Sequence, residues 1–210
     1  MENIILFKTL VGSRLWKMER PDSDYDYFIG YMLPTKEYLL GKRTENIQKI
    51  KETDDSTWHE IGTVVKELLN GNINFLIGVL GIEIEASPEF SELKKIVKKY
   101  KAKNIYNSIH GLSLNNYKKY IEGKENPNEK RVKTVLKMLD LGINYFDTGL
   151  FVFEKPRYFD TMPVKDLAKL IDSKVKELEE RYKLSFYPES LPEKELNDWL
   201  LKTRLKYLNK

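Results

Sequence analysis

Apolar and polar positions change their period along the chain in a way that marks elements. Ile4 to Val11 is apolar-rich and stops at Gly12, the pattern of a buried strand before a turn. Arg20-Pro21-Asp22-Ser23 is turn chemistry, because Pro presets φ and Asp and Ser bond their own backbone. Asp24 to Tyr31 then alternates acids with aromatic strand formers and predicts a second strand. Residues 56–61 predict a third strand that runs into a helix over residues 60–69, stopped by Asn70-Gly71.

Beyond Ser87 the period becomes helical. Ser87-Pro88-Glu89 is a helix start, with Ser as cap and Pro in the first turn. Asn126-Pro127 opens another helix, with Val132, Val135, Leu136 and Leu139 at helical spacing and Gly142 near its end. Gly149 to Phe153 predicts a short strand, and Val164 to Leu178 traces one face of a long helix. The expectation is an α+β fold: a strand-and-turn core over residues 1–85 and a mostly helical part over 86–210, packed on that core.

Composition narrows the chemistry more than the fold. Hydrophobic residues make up 41% of the 210 positions, enough for a core and too many for a disordered chain. Without cysteine there is no disulfide, no thiolate-held zinc or iron–sulfur cluster and no thiol nucleophile. Two histidines, His59 and His110, exclude a multi-histidine metal site, so a metal has to be a hard cation held by carboxylates. The net charge of +4 favours anionic partners without requiring them. The apolar run from Ile73 to Ile84 is too short to span a bilayer, and the first residues lack a basic, cleavable leader pattern. The expectation is a soluble, cytoplasmic protein with no membrane partner.

The segment that carries chemistry is Gly12-Ser13-Arg14 followed by Asp24-Tyr25-Asp26. A strand ending in Gly-Ser gives a tight turn whose N–H groups approach phosphate with no Cβ in the way. A helix starting there would add its positive end, while Ser13 and Arg14 supply a hydroxyl and a cationic fork. On a strand, Asp24 and Asp26 share a face, and such a carboxylate pair calls for a counter-charge that magnesium can supply. Acids beside a phosphate turn match metal-assisted nucleotidyl transfer. A calcium loop with Asp22, Asp24 and Asp26 at its first, third and fifth positions fails, since Tyr27 stands at the glycine position and Leu33 at the glutamate.

These residues resemble the signature of the DNA polymerase beta-like nucleotidyltransferase superfamily, in its branch with RNA-repair-linked (RlaP-type) members. That branch reads Gly-Ser-Arg, a loop, Pro-x-Ser-Asp-x-Asp and an aromatic strand, as residues 12–31 do here. Leu68 to Leu80, the helix from Lys130 to Gly142 and Ser190-Leu191-Pro192-Glu193 resemble later parts of the same pattern. The resemblance implies a nucleotidyltransferase-type mixed sheet and an enzyme moving a nucleoside monophosphate from NTP to a hydroxyl, with an RNA end as the leading acceptor. A protein side chain or small molecule is the alternative acceptor, and a non-catalytic nucleotide- or nucleic-acid-binding module is the alternative of another class. It implies that Gly12, Ser13 and Arg14 hold the triphosphate. Asp24, Asp26 and a third acid would be catalytic and hold two magnesium ions, with manganese as a substitute. Asp55 is the choice for that acid, with Asp54 and Glu60 as rivals. Lys130 and Lys137 fall where the family places helix cations that reach phosphates.

The chain departs from the family pattern at Asn70-Gly71-Asn72-Ile73-Asn74, where Asn-Pro-Asn and a following Glu are usual. Lys137 replaces Arg and Thr134 replaces His. These positions bear on the substrate and leave the acids intact. His59 and His110 read as packed or solvent-facing residues, His110 in a loop or at a helix end. Lysines between 94 and 103 and between 118 and 133 form either a phosphate-tracking surface or a solvated helix face. The aromatic residues show no spacing of a base-stacking platform and read as packing.

Overall fold

A computed structural model describes residues 3–41, 47–50 and 54–208. Compactness divides the chain differently from a cut near residue 85: one unit comprises residues 1–101 with 190–210, and the other residues 102–189.

Among the described residues, the first unit is built on five strands: β1 (Ile4–Leu10), β2 (Tyr25–Met32), β3 (Ile47–Ile50), β4 (Asp54–Glu60) and β5 (Ile82–Ala86), in the order β3-β4-β2-β1-β5. β2 and β4 are parallel and the other neighbours antiparallel, so the sheet is mixed. The helices are α1 (Gly12–Leu15), α2 (Thr35–Leu39), α3 (Ile61–Leu69), α4 (Ile73–Leu80) and α5 (Pro88–Lys99), with Glu193–Lys206 returning from the chain end. The α3 stop at Asn70-Gly71 forms as its sequence predicts, with Gly71 at φ +69° and the Asn72 side chain capping α4.

The apolar run from Ile73 divides at Gly81 into a helix and an edge strand. Ile82-Glu83-Ile84-Glu85 alternates with period two, which a helix cannot bury on one face. Ser87 caps α5, its hydroxyl accepting from Phe90 N at 3.2 Å. α4 and α5 cover one face of the sheet. Thr9 Oγ1 donates to the Gly78 carbonyl of α4 at 2.6 Å, and Phe90 of α5 stacks on Phe7 with centroids 4.0 Å apart. Trp199 Nε1 donates to the Glu89 carbonyl at 2.8 Å, tying the last helix to α5.

The second unit is helical: α6 (Ile105–Tyr120), α7 (Glu129–Thr148) and α8 (Val164–Leu184), with a short 3-10 turn at Arg157–Phe159; the Glu193–Lys206 helix is α9. α7 starts two residues after Pro127, where Asn128 accepts from Arg131 N, and it runs past Gly142 to Gly149, which sits at φ +72°. Gly142 is therefore a close-approach residue rather than a stop. A Cβ there would lie 2.8 Å from Leu178 of α8 and 3.0 Å from Ile109 of α6. The strand expected at 149–153 does not form: residues 150–156 have no regular structure, and Phe151 stacks on Tyr145 at 4.5 Å instead. Among the described residues this unit offers no strand to pair with. His110 lies inside α6, stacked on Tyr106 one turn earlier, and not in a loop. Among the described residues no helix is long and apolar enough to cross a membrane.

Candidate active site

The end of β1 and the start of β2 meet at one point. Val11 N donates to the Asp26 carbonyl at 2.8 Å, and the chain turns at Gly12 with φ +65°. A Cβ on Gly12 would lie 1.8 Å from Asp26 Oδ2, so the turn rests directly against that carboxylate. Both the positive φ and the contact demand glycine. α1 is only one turn long, which makes its contribution as a dipole small. What it offers is the set of first-turn N–H groups that have no acceptor within a helix. The Ser13 carbonyl closes the turn by accepting from Trp16 N and Met18 N at 3.2 and 3.0 Å.

Strand register decides between the candidate third acids. Asp55 is the partner of Asp26 across the parallel β2–β4 pair, which puts the two carboxylates side by side on one face. Asp54 is the partner of Tyr25 and faces the other way. Tyr27 registers the same placement: burial first, and the Asp54 charge next, push its phenol pKa up. Glu60 is only 2% exposed and fully engaged, with one oxygen 2.5 Å from Arg204 Nη2 and the other accepting from Gly62 N at 2.6 Å.

Asp24 is exposed and precedes β2 by one residue. Among the described residues no three carboxylate or imidazole groups are gathered closely enough to hold a metal ion. The structure brings together a pair, Asp26 and Asp55, beside the Gly12 turn. Magnesium keeps much of its water and takes one or two carboxylates plus substrate phosphates, and this donor set fits that demand.

Arg14 is engaged with the loop that precedes β2. Its Nη2 donates to the Ser23 carbonyl at 2.7 Å and its Nε to the Asp24 carbonyl at 3.4 Å. The guanidinium also lies 3.8 Å from the Tyr25 ring centroid. Arg14 therefore braces the loop that delivers Asp24 and Asp26. Lys130 and Lys137 sit on α7 in the second unit, seven residues and about two turns apart, so they share a helix face. His59 packs between Phe28 and Phe75 with ring centroids at 4.5 and 4.7 Å, and burial holds its pKa below the ordinary value. It is a packed strand residue. Sequence reasoning missed a row of cation–aromatic pairs around Tyr25, Tyr27 and Trp58, whose only linear sign is the alternation of Tyr25 and Tyr27.

A mixed sheet whose parallel strands β2 and β4 carry acids, with a glycine turn laid against one of them, is the arrangement of a polymerase beta-like nucleotidyltransferase. The chain belongs to the RNA repair pathway DNA polymerase beta family (RlaP), which matches residues 2–145. That match takes in the whole sheet and both members of the acid pair. No curated protein matches the chain.

Proposed function

We propose that the protein is a magnesium-dependent nucleotidyltransferase that moves a nucleoside monophosphate from NTP to the hydroxyl of an RNA end, in RNA repair. The observation that supports this reading is the contact between Gly12 and Asp26 with Asp55 alongside, a glycine turn next to a carboxylate pair. Family membership supports the reaction class and the RNA context.

In this reading the acceptor oxygen attacks the α-phosphorus, the bond to the β-phosphate oxygen breaks, and pyrophosphate leaves. Magnesium, when bound by Asp26 and Asp55, supplies charge neutralisation for the triphosphate and lowers the pKa of the attacking hydroxyl. The Gly12–Ser13 turn holds the β- and γ-phosphates through backbone N–H groups. The acid pair takes the hydroxyl proton, and Arg14 keeps the acid-bearing loop in place through the Ser23 carbonyl. Asp24, exposed two residues before Asp26, is positioned to take an ion that arrives on the triphosphate.

The test is incubation with α-labelled NTPs, magnesium and a mixed RNA pool. Label in RNA that is lost on Asp26→Asn supports the assignment. Label in the protein or in a small molecule redirects the acceptor. No incorporation from any NTP, with Asp26→Asn indistinguishable from wild type, refutes the enzymatic reading.

A further inference from the structure

One face of the sheet carries α4 and α5; the opposite face bears an unexpected chemistry near the start of β2. Tyr25 and Tyr27 project from it with their rings stacked, centroids 6.2 Å apart and planes 14° apart. Each ring carries a cation: Arg14 lies 3.8 Å from the Tyr25 centroid and Lys8 of β1 lies 3.9 Å from that of Tyr27. Two strands away, Lys49 of β3 lies 4.3 Å over Trp58 of β4, whose Nε1 is fixed by a 3.0 Å bond to Ser56 Oγ. Tyr25 is 41% exposed, Lys49 is exposed, and Tyr27, Trp58 and Lys8 are half-buried. Among the described residues, the carboxylates by register on this part of the face are Asp54, beside Tyr25, and Glu85, beside Lys8.

Rings that are held upright on a pleated surface and interleaved with Lys and Arg are what single-stranded nucleic acid requires. Bases take the aromatic surface, phosphates take the cations, and neither contact depends on sequence. A protein partner would be matched by an apolar patch, whereas here every ring named has a cation on it. A duplex would hide its bases and leave the rings unused.

We propose that this sheet face, with Lys8, Tyr25, Tyr27, Lys49 and Trp58, is a docking surface for single-stranded RNA. It rests on the RNA-acceptor reading above, and it locates the body of the bound strand on the sheet face opposite Asp26 and Asp55, its end rounding the start of β2 to reach them, rather than on the lysine-rich helices.

The experiment measures fluorescence anisotropy of a short labelled single-stranded RNA in EDTA without NTP, so that binding is read apart from transfer. Wild type is expected to bind the single strand more tightly than a duplex. Trp58→Ala is expected to weaken binding roughly tenfold, the loss of one stacked base. Lys8→Gln, at a half-buried cation, and Lys49→Gln, at an exposed one, are each expected to flatten the salt dependence by about 0.7 in log–log slope. Lys118→Gln/Lys119→Gln on α6 is the control and is expected to change little. Equal affinity in wild type and the sheet-face variants, or an equal loss from the α6 control, overturns the proposal, as does wild type that binds no RNA at low salt. RNA binding that depends on this face in a protein showing no transfer leaves it standing and refutes the enzymatic reading. Transfer to RNA with unchanged kinetics in the sheet-face variants does the reverse.

Discussion

Asp55 stands beside Asp26 as its register partner across the parallel β2–β4 pair, while Asp54 stands beside Tyr25 on the opposite face. A shift of one residue in that register would exchange the two, because side chains alternate along a strand. The sequence presents Asp54-Asp55 as equals; the ladder separates them.

Asp26→Asn and Asp55→Asn are therefore expected to lower nucleotidyl transfer at least a hundredfold each. Changes outside the ligand shell alone cost metal sites roughly 10–100-fold. Asp54→Asn is expected to stay within a few-fold of wild type. Initial rates of label incorporation at saturating NTP distinguish the three, and an Asp54→Asn loss equal to that of Asp55→Asn would contradict the register argument.

Gly12→Ala adds a methyl where Asp26 already sits and forces a left-handed backbone on a residue with a Cβ. The backbone alone is expected to cost about 1–2 kcal/mol, read as a lower midpoint in urea. Transfer should fall further than stability explains, since the turn must move off the carboxylate.

Arg14 tests bracing against charge. Arg14→Lys keeps the cation and loses the fork that reaches the Ser23 and Asp24 carbonyls. If Arg14 braces the loop, Arg14→Lys lowers kcat nearly as much as Arg14→Ala and leaves KM for NTP little changed. A rise in KM with kcat preserved would return Arg14 to the phosphates.

The buried pair Glu60–Arg204 ties α9 to the end of β4, and Glu60 also caps α3. Removing one partner leaves a buried charge, so Arg204→Met is expected to destabilise the first unit by about 3–5 kcal/mol. Thermal unfolding of wild type, the single variants and Glu60→Gln/Arg204→Met measures the coupling. An unchanged Tm in Arg204→Met would contradict it.

His59 gives a pH dependence with a definite sign. Its folded pKa is lowered by burial, so the unfolded chain binds the proton more readily. Stability is fully present above the ordinary histidine pKa of about 6.5 and is lost as pH falls from there through the lowered folded value. His59→Phe should remove this part of the acid sensitivity in urea titrations between neutral and mildly acidic pH.

Much of the candidate site is local in the chain. Gly12, Ser13, Asp24 and Asp26 lie within fifteen residues, where turn chemistry and strand alternation are local properties. The α+β character, the caps at Ser87 and Asn70-Gly71 and the helical period after residue 87 follow from the same local rules. Helix α7 shows where such rules stop: Gly142 looks like a terminus until Ile109 and Leu178 crowd it from two other helices.

The sequence by itself determined that any metal must be held by carboxylates, and which loop brings two of them near the Gly12–Ser13 turn. Only the tertiary structure decided that Asp55 and not Asp54 stands beside Asp26, that Glu60 is engaged by Arg204, and that Arg14 reaches the Ser23 and Asp24 carbonyls. It also gathered Lys8, Tyr27, Lys49 and Trp58 from four strands onto one face. The physical reason is the same in each case. Strand pairing and long-range ion pairs set neighbours across many residues of chain, and no period within a single segment encodes them.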